Sequence, residues 1–352
     1  MSAPAELWSK LAAAGLAAGD MPVVGEAHTP WYVRVMLGAA GVIAAAFLLA
    51  FVGTIFPIVI KNDAASVVAG LLLIGVAYGL LTAGPRSDFV AMFALAVSLA
   101  GQALLAFGIF TMFKGRGTMP YAVLALVEAA LALVIPNFIH RVVTAYAAAL
   151  AFNYACYAGG IWYLPVGVLG AAVAASWLSE SRLAKFHSVA APIGYGLTLA
   201  FIQIEGAPLF RHAIGIRSGS RVMEHASAWT GEALVAAALV ATVWVLIRRA
   251  GWALASPRAL LALGAALALG AASFNAPGIA GGLMIVVLGF ANGNRVLTGL
   301  GIAALLFYVS AYYYLLDETL LFKSGVLLAT GIVLLAARWL VLNAVMKEGA
   351  DA

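Results

Sequence analysis

The sequence contains very little charge. Only 9% of its 352 residues are Asp, Glu, Lys or Arg, whereas a soluble domain carries about a quarter. A water-soluble fold in which 65% of the residues are hydrophobic would lack the polar surface needed to cover itself, so the excess apolar surface must face lipid. The shortage of charge therefore excludes an ordinary soluble domain and indicates a membrane protein.

Motifs of common enzymes are also missing. The sequence has no GxSxG, Walker or dinucleotide-binding signature, and its single cysteine, Cys156, excludes an intrachain disulfide. His212 and His225 are not spaced as a metal motif, so neither a metal nor another cofactor is predicted. The net charge of +5 comes from Lys and Arg scattered singly between apolar segments, so we expect no nucleic-acid partner. A non-enzymatic role is favoured, although an enzymatic one stays open.

Long apolar runs, such as Val35–Phe56 and Phe89–Phe113, are what the sequence has instead. About 20 residues span a bilayer as a helix, and a helix satisfies its backbone hydrogen bonds without water. The pattern predicts an all-α, polytopic transmembrane helical bundle of about twelve spans, with ten or eleven compatible with the tight connections at Gly159–Gly160 and Asn275–Pro277. The predicted spans are 33–58, 64–83, 89–112, 119–136, 141–158, 161–178, 186–205, 228–247, 258–274, 277–292, 296–315 and 320–342.

The distribution of Lys and Arg predicts the orientation. With the N-terminus inside, 12 of these residues fall on the inner side and 7 on the outer side, so we expect both termini to be cytoplasmic. The predicted organisation is a cytoplasmic arm over residues 1–32, a single transmembrane domain over 33–342 with an outer loop at 206–227, and a short cytoplasmic tail over 343–352.

Polar residues within the predicted spans are costly in lipid, so each needs a reason. Glu128 lies near the middle of the fourth span, where it serves either as a proton or cation relay or in a hydrogen bond between helices. Gln102, Asn153 and Gln203 are predicted to bond neighbouring helices or to line a pathway. Glu205 is placed at the outer end of its span, close to water.

Charged residues also cluster beside the outer loop. If residues 217–232 are helical, their spacing of three and four residues puts them on one face. That face could bind an anionic ligand, a lipid head group or a partner protein, or could be a solvated, self-paired surface. The outer-face candidates are Arg211, His212, Arg217, Arg221, Glu224, His225 and Glu232.

Other features receive structural explanations. His140, Arg141 and His187 are interpreted as basic positions required by topology at the inner face. Glycines at four-residue spacing are interpreted as close packing between helices of this chain.

Four stretches carry a resemblance to a known family: Pro30–Arg34, Ser98–Leu105, Gly293–Arg295 and the tail Tyr312–Arg338. They resemble the bacterial membrane proteins of domain-of-unknown-function family 4401, and the tail is similar to that of family 2157. The resemblance implies an uncharacterised multi-pass protein of the bacterial inner membrane, with a GDYxxLxY-type membrane-anchored protein as a partner and no established catalytic residue. The signature positions are Trp31, Arg34, Gln102, Asn294, Arg295, Tyr313, Tyr314, Thr319, Lys323 and Ser324.

Three functions follow. The leading hypothesis is a non-enzymatic component of a membrane assembly, surrounded by the lipid bilayer and bound to other membrane proteins. The alternative is a transporter or ion-coupled permease that uses Glu128. The third is an enzyme acting on lipid-linked substrates, for which the candidates are His212, Arg217, His225 and Glu232.

Overall fold

The computed structural model describes residues 31–55, 61–83, 88–180, 184–213, 221–274 and 277–315, with a few isolated positions outside these ranges. Within them the chain is helical and contains no strand. The helices are α1 (Trp31–Ile55), α2 (Asp63–Ala83), α3 (Asp88–Met112), α4 (Met119–Val134), α5 (Phe138–Ala158), α6 (Leu164–Leu178), α7 (His187–Ala213), α8 (Arg221–Arg249), α9 (Pro257–Ala272), α10 (Ile279–Ala291) and α11 (Arg295–Leu315).

Each of the first eleven predicted spans coincides with one of these helices, so the prediction of an all-helical fold is confirmed. The twelfth segment, 320–342, lies outside the described residues except for Leu321, which is helical. Within the segment 206–227, α7 continues to Ala213 and α8 begins at Arg221, because polar side chains at a helix end do not prevent the backbone hydrogen bonds from continuing.

Among the residues that the structure describes, four helices are long and apolar enough to cross a membrane, covering Asp63–Thr82, Val90–Met112, His187–Ala207 and Trp229–Arg249. Large apolar side chains lie on the outside of the bundle, among them Phe47, Leu126 and Phe290, which are more than two thirds exposed. A surface of this kind is stable only when lipid covers it, so the fold is that of a helical membrane protein.

Local sequence signals set several helix ends. The Asn137 side chain accepts a hydrogen bond from the His140 amide at 3.0 Å and caps α5, and the Ser256 side chain caps α9 through the Ala259 amide at 3.3 Å. Pro120 lies in the first turn of α4, where its missing N–H costs no helical hydrogen bond.

Consecutive helices pack along one another in the pairs α2–α3, α4–α5 and α10–α11. Between α2 and α3 the backbones touch: a Cβ atom added to Gly101 would lie 2.7 Å from the Gly70 carbonyl oxygen. The predicted use of glycine for close packing inside the chain is therefore seen here. The largest apolar core contains residues of every helix from α5 to α11 and includes Trp177, Phe201 and Met284. Two smaller apolar clusters connect the four helices α1, α2, α3 and α4.

Candidate functional site

Two buried glutamates lie in the part of the bundle formed by α7, α8, α10 and α11. Glu205 in α7 is 3% exposed and Glu232 in α8 is 6% exposed. Their carboxyl groups are close enough to repel each other electrostatically. We call these two residues the acidic pair. Both lie within helices that are long and apolar enough to cross a membrane.

Two glycines near the start of α10 make room for the acidic pair. A Cβ atom added to Gly281 would lie 2.8 Å from the Glu205 carboxyl carbon, so the carboxyl group rests on the bare Cα of this glycine. The Gly278 amide hydrogen-bonds to the Glu232 carboxyl group. Gly278 has φ of 95°, a left-handed conformation that glycine adopts readily. The backbone entering α10 therefore fixes the position of both acids.

Tyr308 on α11 completes this site. Its side chain is 1% exposed and acts electrostatically on both acids. Its hydroxyl donates a hydrogen bond to the Ile202 carbonyl oxygen on α7 at 2.8 Å. Because a phenol has one proton to donate, this bond leaves none for the acids.

The acidic pair has more hydrogen-bond acceptors than donors. Both carboxyl oxygens of Glu205 and the Oε2 atom of Glu232 are buried without a hydrogen-bond partner. Among the described residues, neither acid forms an ion pair. Buried carboxylates require paired positive charge or protonation. The arrangement can therefore hold a proton or a small cation between the two helices.

A second polar cluster lies between α3 and α5. His140 is fully buried, and its Nε2 atom lies 2.7 Å from Ser98 Oγ and 2.9 Å from Gln102 Nε2. Gln102 Nε2 also donates to Ser98 Oγ at 3.2 Å. The other ring nitrogen of His140, Nδ1, has no partner among the described residues. We call Ser98, Gln102 and His140 the histidine cluster.

The structure gives His140 and Arg141 roles beyond the predicted one. His140 belongs to the histidine cluster, and Arg141, which is 9% exposed, donates to the Ala132 and Ser188 carbonyl oxygens at 3.2 and 2.9 Å. Both side chains are therefore interior, where hydrogen bonds rather than water satisfy them. His187 is different: it is largely exposed, and its Nδ1 atom lies 3.6 Å from Glu180 Oε1.

Glu128 is 3% exposed in the middle of α4, and its Oε2 atom has no hydrogen-bond partner among the described residues. Of the other polar residues predicted within spans, Gln203 accepts a hydrogen bond from the Tyr146 hydroxyl across α7 and α5. Asn153 is half-buried on α5. Glu128 lies on α4, the histidine cluster on α3 and α5, and the acidic pair on α7 and α8.

The outer-face candidates do not form one described surface. Arg221, Glu224 and His225 belong to α8, and Arg211 and His212 to α7, but their side chains lie outside the described residues, as does Arg217. Glu232 is the exception: it points into the bundle toward Glu205 instead of outward. One face of α8 packs against neighbouring helices, and Glu232 lies on that buried face.

Among the family-signature positions, Asn294 has the most contacts. It caps α11 by accepting from the Leu297 amide at 3.1 Å, and its amide nitrogen donates to the Tyr195 hydroxyl at 2.8 Å. Arg295 is exposed and Tyr313 is half-buried. Trp31, Arg34 and Tyr314 are helical but their side chains are not among the described ones, and Thr319, Lys323 and Ser324 lie outside the described residues.

Sequence reasoning missed the acidic pair because it placed Glu205 close to water and Glu232 on an outer face. The structure buries both. Each is an acid inside an apolar helix, and this alone marks both residues in the sequence as candidate functional positions. The sequence does not show that the two helices face each other at these positions.

A metal site and a ligand-binding cleft are two other kinds of site that a helical bundle can contain. The described residues contain no group of three His, Cys, Asp or Glu side chains that could hold a metal ion. Two clefts beside α9 are lined by hydrophobic residues, with a tryptophan in each, Trp252 and Trp244, and no ionisable side chain. The acidic pair is the stronger candidate for chemistry.

Comparison with known proteins gives a family but no activity. A family model described as a domain of unknown function, DUF4401, matches residues 30–343. No curated protein and no solved structure matches the chain.

Proposed function

The chain belongs to the DUF4401 family, and from that premise we propose that it is an ion-coupled permease of the bacterial inner membrane. The observation that carries this proposal is the burial of Glu128 in the middle of α4, with an oxygen that no described residue bonds. An ionisable group at this depth is costly and is retained where it serves a proton or ion pathway. The permease is the alternative function predicted from the sequence, and the membrane-assembly component, which the sequence favours, becomes the second candidate.

The topology belongs to the same proposal. About twelve spans with both termini cytoplasmic agree with the eleven described helices and with the excess of Lys and Arg on one side. In that orientation the end of α7 and the start of α8 face outward, and the acidic pair lies in the outer half of the bundle. A relationship to family 2157 is part of this proposal as well.

The proposal is tested by proton flux in reconstituted vesicles. Purified protein is inserted into liposomes that contain a pH-sensitive dye, and an imposed proton gradient is followed with and without mixtures of candidate solutes. We expect wild-type protein to dissipate the gradient and Glu128→Gln to slow this by at least about tenfold, because glutamine cannot exchange a proton.

The matched control is Glu180→Gln, since Glu180 lies at the end of α6 and is partly exposed beside His187. This variant should transport as wild type does. Equal flux through wild type and Glu128→Gln would remove Glu128 from the mechanism, and the absence of flux with every solute would contradict the permease proposal.

A second candidate function is a component of a membrane assembly, with a GDYxxLxY-type membrane-anchored protein as a partner. The observation in its favour is on α2, where Gly75 and Gly79 lie one turn apart and a Cβ atom added to either would meet nothing within 4 Å. Small residues at this spacing allow a second transmembrane helix to approach closely. Leu71 and Val76 beside them are more than half exposed.

Co-purification in mild detergent tests this second function. A partner that is retained by wild type should be lost when Gly75 and Gly79 are both changed to Leu, because the larger side chains hold a helix away. Gly264→Leu on α9 is the control, since Gly264 also lies in open space but on a different helix. A wild-type chain that always isolates alone would contradict the assembly function.

A further inference from the structure

We propose that Glu205 and Glu232 form a proton-binding pair inside the bundle. One carboxyl group takes up a proton and donates a hydrogen bond to the other, and release of that proton leaves two facing negative charges. This inference does not rest on the permease proposal, because it concerns different acids on different helices from Glu128 and is tested by proton binding rather than by transport.

The first argument is the supply of hydrogen bonds. Three carboxyl oxygens of the acidic pair have no partner, and the backbone amide of Gly278 reaches only Glu232. A buried acceptor without a donor is destabilising, because it has lost its hydrogen bonds to water and gained none in the protein. A single proton placed between the acids converts one acceptor into a donor and satisfies a second acceptor, which no side chain described nearby does.

The second argument is the charge around the pair. On α11 the ionisable group facing the acidic pair is Tyr308, whose hydroxyl donates its hydrogen bond to the Ile202 carbonyl oxygen. On α5, Tyr146 bonds Gln203, and Arg141 donates to the Ser188 carbonyl oxygen at the end of α7 opposite to Glu205. Helices α6 and α10 contain no ionisable residue. On α9 the ionisable residue is Arg258, and at the start of α11 it is Arg295; both lie at the ends of their helices away from the acidic pair.

Among the described side chains, no cation offsets the two acids; those of Arg211, His212, Arg221 and His225, on the pair's own helices, lie outside the described residues. Two carboxylates near each other in a medium of low dielectric constant repel, so the doubly charged state is disfavoured unless a positive charge enters. A bound proton removes this repulsion.

The third argument is space, and it selects a proton over a metal ion. The Glu205 carboxyl group lies against the Cα of Gly281. The ring of Tyr308 packs on Gly278 so closely that a Cβ atom added to Gly278 would lie 2.6 Å from the Tyr308 Cγ. Calcium takes six to eight oxygen ligands and magnesium keeps several waters. The acidic pair offers three free oxygens in a packed setting, whereas a proton needs only two oxygens in contact.

Infrared difference spectroscopy on the full-length protein in detergent tests the inference. Spectra recorded across a pH titration show the C=O stretching band of a protonated carboxyl group and its loss on deprotonation. We expect a step in wild type whose pH midpoint shifts in both Glu205→Gln and Glu232→Gln, because the remaining acid still titrates but no longer faces a second carboxylate. Glu180→Gln, remote from the pair, should keep the step.

Two results would overturn the inference. One is a titration step that is unchanged in both glutamine variants. The other is a step that moves when sodium chloride replaces choline chloride at equal concentration, which would identify a metal cation as the occupant. If a glutamine variant does not fold, as judged by circular dichroism, Gly281→Ala displaces the Glu205 carboxyl while keeping it. The pH of the step should then shift, and an unshifted step would also count against the pair.

Discussion

Tyr308 lies directly against Gly278. The Cγ atom of its ring is 2.6 Å from the position that a Cβ atom of Gly278 would occupy, and its hydroxyl donates to the Ile202 carbonyl oxygen at 2.8 Å. One side chain on α11 therefore touches both the entry of α10 and the backbone of α7. This contact holds together the elements that carry the acidic pair.

Gly278→Ala should destabilise the fold strongly. The new Cβ atom would collide with the Tyr308 ring, and φ of 95° is unfavourable for alanine. The left-handed conformation costs about 1–2 kcal/mol, and forced overpacking costs about 1–3 kcal/mol. Thermal unfolding in detergent should show a lower midpoint for this variant. Gly251→Ala, also at a positive φ but with nothing nearby, separates the two causes and should cost less.

Tyr308→Phe should have a smaller effect than Gly278→Ala. It removes the hydrogen bond to Ile202 and leaves the ring packed on Gly278, so the free energy of unfolding should fall by about 1 kcal/mol. The same thermal assay measures it. A loss as large as that of Gly278→Ala would mean that the hydroxyl, and not the ring, carries the contact.

Gly281→Ala should destabilise the protein, whereas Gly264→Ala should not. The first places a methyl group against the Glu205 carboxyl carbon at 2.8 Å, and the second places it in open space. We expect a loss of about 1–3 kcal/mol at Gly281 from overpacking and a neutral or slightly stabilising change at Gly264, since alanine favours a helix by about 1 kcal/mol over glycine. Equal midpoints for the two variants would contradict the placement of Glu205.

Gln102→Leu should weaken the packing of α3 on α5. The change removes the hydrogen bond of Gln102 to His140 and keeps that of Ser98, so the free energy of unfolding should fall by about 0.5–1.5 kcal/mol, the contribution of one hydrogen bond. A double-mutant cycle with His140→Leu measures the coupling, which should be clearly different from zero. Additive effects of the two changes would show that the residues do not interact.

Asn294→Ala should lower stability through two lost contacts. The Asn294 side chain caps α11 and bonds the Tyr195 hydroxyl. Loss of an N-cap costs about 1 kcal/mol. Tyr195→Phe removes the second contact alone and should cost less than Asn294→Ala. The unfolding midpoints of the two single variants and of the double variant measure both contributions, and a Tyr195→Phe cost equal to that of Asn294→Ala would rule out the capping contribution.

The helical architecture could be predicted because it depends on local properties of the chain. Continuous apolar runs of the right length become helices in lipid wherever they occur, so the bounds of α2 and α3 follow the hydropathy closely. The extension of α7 to Ala213 was not predicted, because a helix end in polar sequence has no hydropathy signal.

The sequence by itself determined that the chain is a helical membrane protein with isolated acids at costly positions, since composition and run length decide what lipid will accept. Only the tertiary structure decided which acids meet. Glu205 and Glu232 lie on separate helices, and their electrostatic influence on each other depends on how α7 and α8 rotate and how closely Gly281 allows α10 to approach. Helix rotation is set by packing between many side chains at once. No single stretch of sequence contains that information.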